Sequence, residues 1–250
     1  MFKKLLIVTA FAPMLFACSS SVKVSSIQPS SIPINAGSAE DEAIKNMIEP
    51  YKSVLDNEMN EVLVKSSAEA VKGQPESSLG NLIADIALNQ CNQILQKKNL
   101  PLADICMLNN GGLRTSLPEG NITVGKIFEL MPFENDMVVL TLSGSKTRGL
   151  MNYIAKSNGQ PVSGLSMNII NEKPKQVMIG GQEFDSLKTY RIVTTDYLAS
   201  GGDKMRFFSE PISYQPLNTK LRDAIMNYMR AENNKGNMLN PKTDGRIKSN

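Results

Sequence analysis

The order in which two periodicities follow one another after residue 40 constrains this chain most. Stripes at helical spacing are interleaved with short apolar or β-branched runs, without strict alternation. Ile44, Met47, Ile48, Tyr51, Val54 and Leu55 form one stripe, behind a capping-box variant at Ser38-Ala39-Glu40-Asp41. Pro50 predicts a kink in that helix. A second helix is expected from Ser77 or Ser78, with Leu79, Leu82, Ile83, Ile86, Ala87, Ile94 and Leu95 on its apolar face. Thr123 can cap a short helix reaching Met131, and Ser145 to Lys156 reads as another. Leu217, Leu221, Ala224, Ile225, Tyr228 and Met229 predict a C-terminal amphipathic helix. Strands are expected at Ile105–Leu108, Met137–Leu142, Ser166–Asn171, Val177–Ile179 and Tyr190–Thr195, with Gly180-Gly181 as a hairpin turn toward Phe184. This order favours α+β or a mixed sheet over a doubly wound parallel one. Residues 40–250 show no internal repeat and no linker-like break, so one domain is expected there.

The N-terminus reads as an address. Two lysines lie within Met1–Lys4, and Leu5–Ala17 is almost wholly apolar. That run is too short to cross a bilayer but suits a secretory signal. It ends Leu15-Phe16-Ala17-Cys18, which resembles a bacterial lipoprotein cleavage site, although Phe16 is a looser fit. The resemblance implies a signal peptide over 1–17, cleavage before Cys18 and lipidation of that cysteine. An ordinary cleaved signal with Cys18 incidental is the plainer alternative. Residues 19–39 contain eight serines, two prolines and no acidic residue, so 18–39 reads as a lipidated tether. The expected location is the cell envelope, lipid-anchored on the periplasmic or outer-membrane face. Cys91 and Cys106 could form a disulfide or remain as two buried thiols.

Composition narrows the chemistry. The 250 residues contain no histidine. Ser-His-Asp and Cys-His nucleophiles, His-ligated metal and the commonest general acid/base near neutral pH are therefore absent. The balance of 27 Lys+Arg against 24 Asp+Glu is too even for the clustered basic footprint of a nucleic-acid binder, and no such partner is expected.

One apparent motif fails its context. Gly120-Asn121-Ile122-Thr123-Val124-Gly125-Lys126 has P-loop spacing, but Ile127 stands where a Ser or Thr must bind metal. It reads as a loop-to-helix turn. Three other loops are read as following strands. Asn109–Arg114 combines glycines with a guanidinium, Met131–Asn135 fixes Phe133 beside a proline, and Asp196–Asp203 joins Tyr197 to an acid behind a glycine pair. Singly, each is ordinary: an Arg in a turn is usually solvated, a Phe after Pro usually packs in a core, and Gly-Gly-Asp is usually a turn. Together they supply two aromatic faces for a planar base, a carboxylate for vicinal hydroxyls and an Arg for an anion.

In that combination the chain resembles the C-terminal substrate-binding domain of the 5′-nucleotidase and UDP-sugar hydrolase family. The matching segments, in family order, are Ser78–Asp85, Asn109–Arg114, Pro132-Phe133, Tyr197–Asp203 and Asp244-Gly245-Arg246-Ile247. The resemblance implies a four-layered α/β/β/α domain with mixed sheets over 40–250. It implies that Phe133 and Tyr197 clamp a nucleobase and that Asp203 binds ribose hydroxyls. Arg114 would contact the ribose–phosphate end, Asn109 would help hold the base, and Gly112 belongs to the same loop. Tyr197 stands where the family usually has Phe, and Asn110 where it usually has Gly. Asn tolerates positive φ better than most residues, which would preserve the turn. An Arg that the family often carries upstream is absent, with Lys72 as a possible replacement for its charge but not its fork.

The family also has a dinuclear metallophosphoesterase domain, rich in His and Asp, that these residues lack. No catalytic residue, metal or cofactor is expected in this chain. The leading expectation is the nucleotide-binding half of a split 5′-nucleotidase, with divalent metals on a separate metallophosphoesterase chain. Its ligand would be a nucleoside 5′-phosphate or a nucleoside. The alternative is a non-catalytic nucleoside-binding or structural envelope lipoprotein.

Overall fold

A computed structural model describes residues 23–35, 37 and 40–249. The signal, Cys18 and the Ser38-Ala39 part of the expected capping box lie outside the described residues. The chain divides into two units, 1–47 and 48–250. In the first, residues 23–35 are irregular and exposed. Asp41 caps helix α1 (Glu42–Met59), its Oδ1 accepting from the Ala43 and Ile44 N–H groups at 2.9 and 3.2 Å. The cap is thus Asp41 itself. The boundary between the units falls within α1, Pro50 lies inside it and none of its residues is buried, so the stripe from Ile44 to Leu55 is exposed.

The second unit carries the remaining elements in the order β1 (Val62–Ser66), α2 (Ser78–Lys97), β2 (Ile105–Met107), β3 (Gly120–Thr123), α3 (Val124–Leu130), β4 (Asp136–Ser143), α4 (Gly144–Lys156), β5 (Val162–Ser163), β6 (Leu165–Ile170), β7 (Lys173–Ile179), β8 (Gln182–Glu183), β9 (Thr189–Thr195), α5 (Asp196–Ala199), β10 (Ser213–Lys220), α6 (Leu221–Asn234) and β11 (Ile247–Ser249). Side-chain caps start the helices: Ser77 accepts from Gly80 N–H, Thr123 from Lys126 N–H and Ser143 from Lys146 N–H. The P-loop-like segment is therefore strand β3 followed by a capped helix.

The central sheet has five strands in the order β10-β4-β9-β2-β5, a second has β11-β6-β7-β8, and β1 pairs with β3. β2 runs parallel to β9, and β11 parallel to β6, while the other pairs are antiparallel. The fold is α+β with mixed sheets, as expected. Both faces of the central sheet are covered, which is why β4 reads as a nearly continuous apolar run. Met137 and Val139 enter one core with residues of α2 and α6. Val138, Leu140 and Leu142 enter the other, with α4, β6 and β9. Leu217, read with the C-terminal helix, lies instead on β10, four residues before Leu221.

Two of the motifs read from opposite ends of the chain meet in one polar knot. Arg246 binds Asp85 of α2 through Nη1 and Nη2 at 2.6 and 2.9 Å, and Asp244 through Nε and Nη2 at 3.0 and 2.7 Å. Its Nη1 also donates to the Val162 carbonyl at 2.9 Å. The Glu76 carboxylate accepts from the Asp244 and Gly245 N–H groups and from the Asn81 amide. The Ser78–Asp85 motif thus ties down the C-terminal strand.

Cys91 and Cys106 are buried, free thiols. Burial pushes Cys91 up to about 12 and Cys106 well above its usual value, so neither is reactive near neutral pH. Among the described residues no helix is long and apolar enough to cross a membrane.

Candidate functional site

Strand direction decides where the chemistry gathers. Because β2 and β9 are parallel neighbours, their C-terminal ends lie at one edge of the central sheet. The first delivers Asn109 and the second delivers Tyr197 to Asp203. β4 is antiparallel to β9, with Met137 opposite Thr195, so the segment preceding β4, containing Phe133, arrives at the same edge. β5 is antiparallel to β2 and β10 to β4, which brings in the chain before Val162 and the chain after Lys220. Five connections therefore converge at one edge.

They enclose a cleft of about 290 Å³ lined by Asn109, Gly111, Gly112, Arg114, Phe133, Asn135, Tyr197 and Asp203. All six side chains or glycines singled out from the sequence lie around this one cavity. Gly111 and Asn135 join them from within the same loops. Lys72 is exposed and does not line the cleft, so it does not supply the charge of the absent upstream Arg here.

Each lining residue has a local reason for its place. Thr195 caps α5 by accepting from Leu198 N–H, and the fully buried Leu198 anchors that turn. Tyr197 is left 48% exposed and Phe133 49% exposed, and both rings line the same cleft, so each has area to offer a planar ligand. Asp203 occupies the left-handed region with φ 51° and ψ 27°. Its Oδ2 accepts from Asn109 Nδ2 at 2.6 Å and its Oδ1 from the Tyr197 hydroxyl at 2.9 Å. Each carboxylate oxygen retains a further lone pair for a ligand. The Tyr153 hydroxyl of α4 donates to the Asp203 carbonyl at 3.0 Å, and burial, with Asp203 and Tyr197 adding to it, pushes the Tyr153 phenol above its usual value.

Two glycines are closely approached, Gly112 by the end of a side chain and Gly202 by a ring and a backbone carbonyl. A Cβ on Gly112 would lie 2.6 Å from Asn109 Oδ1, and one on Gly202 would lie 2.6 Å from the Tyr197 ring. Asn110, in contrast, does not adopt a positive φ. The turn survives without its first glycine because Asn110 is bound, its N–H donating to Gln160 Oε1 at 2.9 Å and its Nδ2 to the Gly159 carbonyl at 3.1 Å. Arg114 Nη1 donates to the Gly111 carbonyl at 3.2 Å, which occupies one of five guanidinium N–H donors.

Sequence reasoning missed Arg222. It lies on α6, 6% exposed, with its guanidinium 4.0 Å from the centre of the Phe128 ring. Nη1 donates to the Met131 carbonyl at 3.1 Å and Nη2 to Glu134 Oε1 at 3.2 Å, one on each side of Pro132-Phe133. Lys220 Nζ and Leu221 N–H bind the Glu134 and Asn135 carbonyls, each at 3.0 Å. The signal available was a lone Arg beside Leu221 on the apolar face of a helix.

These features agree with comparisons to known proteins. Residues 56–210 match the family described as 5′-nucleotidase, C-terminal domain. The trifunctional nucleotide phosphoesterase protein YfkN of Bacillus subtilis is 28% identical over 239 residues, covering 87% of this chain and 16% of that protein. A 5′-nucleotidase of Vibrio vulnificus is 26% identical over 178 residues, covering 66% of this chain and 30% of that protein. The solved 5′-nucleotidase precursor from Thermus thermophilus matches with a TM-score of 0.70 at 25% identity, over 84% of this chain and 43% of that one. The chain spans less than half the length of each of these relatives. With a family match covering more than half its length, and a fold shared with the Thermus protein, the chain belongs to the 5′-nucleotidase C-terminal domain family.

Proposed function

We propose that the cleft binds a nucleoside or nucleoside 5′-phosphate, and that the chain is the substrate-binding half of a split 5′-nucleotidase. The observation that carries this reading is the convergence of two half-exposed aromatic rings and a braced carboxylate on one cleft. Phe133 and Tyr197 would take the base, each stack being worth about 1–3 kcal/mol. The free lone pairs of Asp203 would accept the vicinal ribose hydroxyls. The remaining N–H groups of Arg114 would receive the phosphate, and Asn109 would contact the base edge while bridging to Asp203.

A dinuclear metal centre does not fit the donors present. The chain has no histidine, and among the described residues no three His, Cys, Asp or Glu side chains are placed to hold a metal ion. No step through metal is assigned to these residues. Their part is binding and orientation, and hydrolysis would require a metallophosphoesterase centre outside these residues. A nucleoside-binding or structural lipoprotein without such a partner is the second reading, favoured by the missing Arg upstream of Ser78, whose place at the cleft Lys72 does not fill.

The full chain in detergent, titrated calorimetrically with AMP and adenosine, is expected to bind both. Phe133→Ala should weaken each by about 1–3 kcal/mol. Binding of neither by the parent chain would overturn the nucleoside reading. Phosphate release from AMP at enzyme-like rates by the purified chain with a divalent cation would overturn the split enzyme.

The anchor belongs to the same proposal. Leu5–Ala17 followed by Cys18 supports export and lipidation at the envelope. Labelled palmitate should enter the parent chain and not Cys18→Ser. Equal labelling of both would refute lipidation at Cys18.

A further inference from the structure

We propose that Tyr153 is a positioning residue of the cleft: together with the Tyr197 hydroxyl, it holds Asp203 in the conformation that offers its carboxylate to ribose. This rests on the nucleoside reading above. Asp203 sits in the left-handed backbone region, which most side-chain-bearing residues avoid although Asp tolerates it, with Gly201 at φ 90° before it and Lys204 at φ 62° after it. Such a conformation persists when its surroundings over-determine it.

Here the surroundings do so at three points. Tyr153 grips the main-chain carbonyl at 3.0 Å, Tyr197 grips Oδ1 at 2.9 Å, and Asn109 grips Oδ2 at 2.6 Å. The three donors come from α4, α5 and the turn after β2, so no single local segment sets the carboxylate. Tyr153 does not line the cleft. Its ring is fixed from behind, tilted against Phe207 at 5.5 Å, and Phe207 in turn packs on the fully buried Phe208 at 4.5 Å. The hydroxyl is thus the tip of a rigid stack, and it reaches the cleft only through Asp203. Tyr197 has two functions on one side chain: a ring face for the base and a hydroxyl that orients the ribose acceptor.

The test is a set of titrations of the full chain with adenine and adenosine. Tyr153→Phe and Tyr197→Phe keep the rings and remove only the hydroxyls. Each is expected to weaken adenosine by about 3- to 10-fold, the usual reach of one hydrogen bond, and Tyr153→Phe, whose ring lies outside the cleft, should leave adenine unchanged. In an Asp203→Ala background neither substitution should change adenosine binding further, because both act through that residue. Equal losses for adenine and adenosine would overturn the proposal as mere loop damage. So would an undiminished loss in the Asp203→Ala background, or no loss at all. A parent chain that binds neither compound overturns the nucleoside reading and this inference together. A parent that binds adenosine while the Phe variants match it overturns the inference alone.

Discussion

Replacing Asp203 by alanine is expected to weaken adenosine binding by about 2–4 kcal/mol while leaving adenine binding nearly unchanged. A hydrogen bond to a charged group contributes about 1.5–3 kcal/mol. Two hydroxyls would each receive one, but they share one carboxylate in an open cleft, so the full sum is not expected. Alanine also fits a left-handed backbone less well than Asp. Asp203→Asn is therefore the cleaner companion, since Asn tolerates φ near 51° and removes the charge. It should fall between the parent and Asp203→Ala. Calorimetry with both ligands decides the matter, and equal losses for base and nucleoside would refute the ribose role.

Arg246→Ala is expected to cost about 2–3 kcal/mol of stability. Breaking a buried ion pair costs about 3–5 kcal/mol and an exposed one about 1 or less. This site lies between them: the Arg246 side chain is 14% exposed, whereas Asp85 and Asp244 are 47% and 46% exposed and can be rehydrated. The Val162 carbonyl also loses its donor. Urea unfolding of both proteins measures the difference. A loss below about 0.5 kcal/mol, the range of ordinary surface substitutions, would show that the knot contributes little.

The same pair predicts an acid dependence. The hydrogen bond from Arg246 holds Asp244 down to about 2, below its ordinary 3.8. A carboxylate lowered by folding stabilises the native state above its unfolded value and loses that contribution as pH falls through the folded one. The knot should therefore be at full strength above about pH 4 and weaken toward pH 2. Solvent screening at the half-exposed Asp244 keeps the effect modest. The stability gap between parent and Arg246→Ala should narrow over that interval. A gap independent of pH would argue that packing, not charge, carries the knot.

Local chemistry made much of this structure legible. Ser77, Thr123 and Ser143 cap helices through bonds to groups three residues away, so their signal is confined to one turn. β4 and β9 were readable because both are apolar on two buried faces. β10 was not: it is an edge strand, half exposed, with Pro216 inside it, and it lacks the apolar pattern that marks a central strand. The helical turn at Asp196–Ala199 has only four residues, too few for a period. Arg222 was hidden because burial of a charge depends on partners from elsewhere, here the Met131 carbonyl, Glu134 and the Phe128 ring.

The cleft shows the same division. The ordered motifs identified Asn109, Gly112, Arg114, Phe133, Tyr197 and Asp203 one loop at a time, from residue types suited to a base, a sugar and an anion. The sequence by itself determined those chemical types and the caps and turns around them, because such preferences act within a few residues. Only the tertiary structure decided that the loops share one cleft and that the Tyr197 and Tyr153 hydroxyls both end on Asp203. That outcome depends on β2 lying beside β9 in parallel with β4 reversed, and no local interaction specifies which strands become neighbours across about eighty residues of intervening chain.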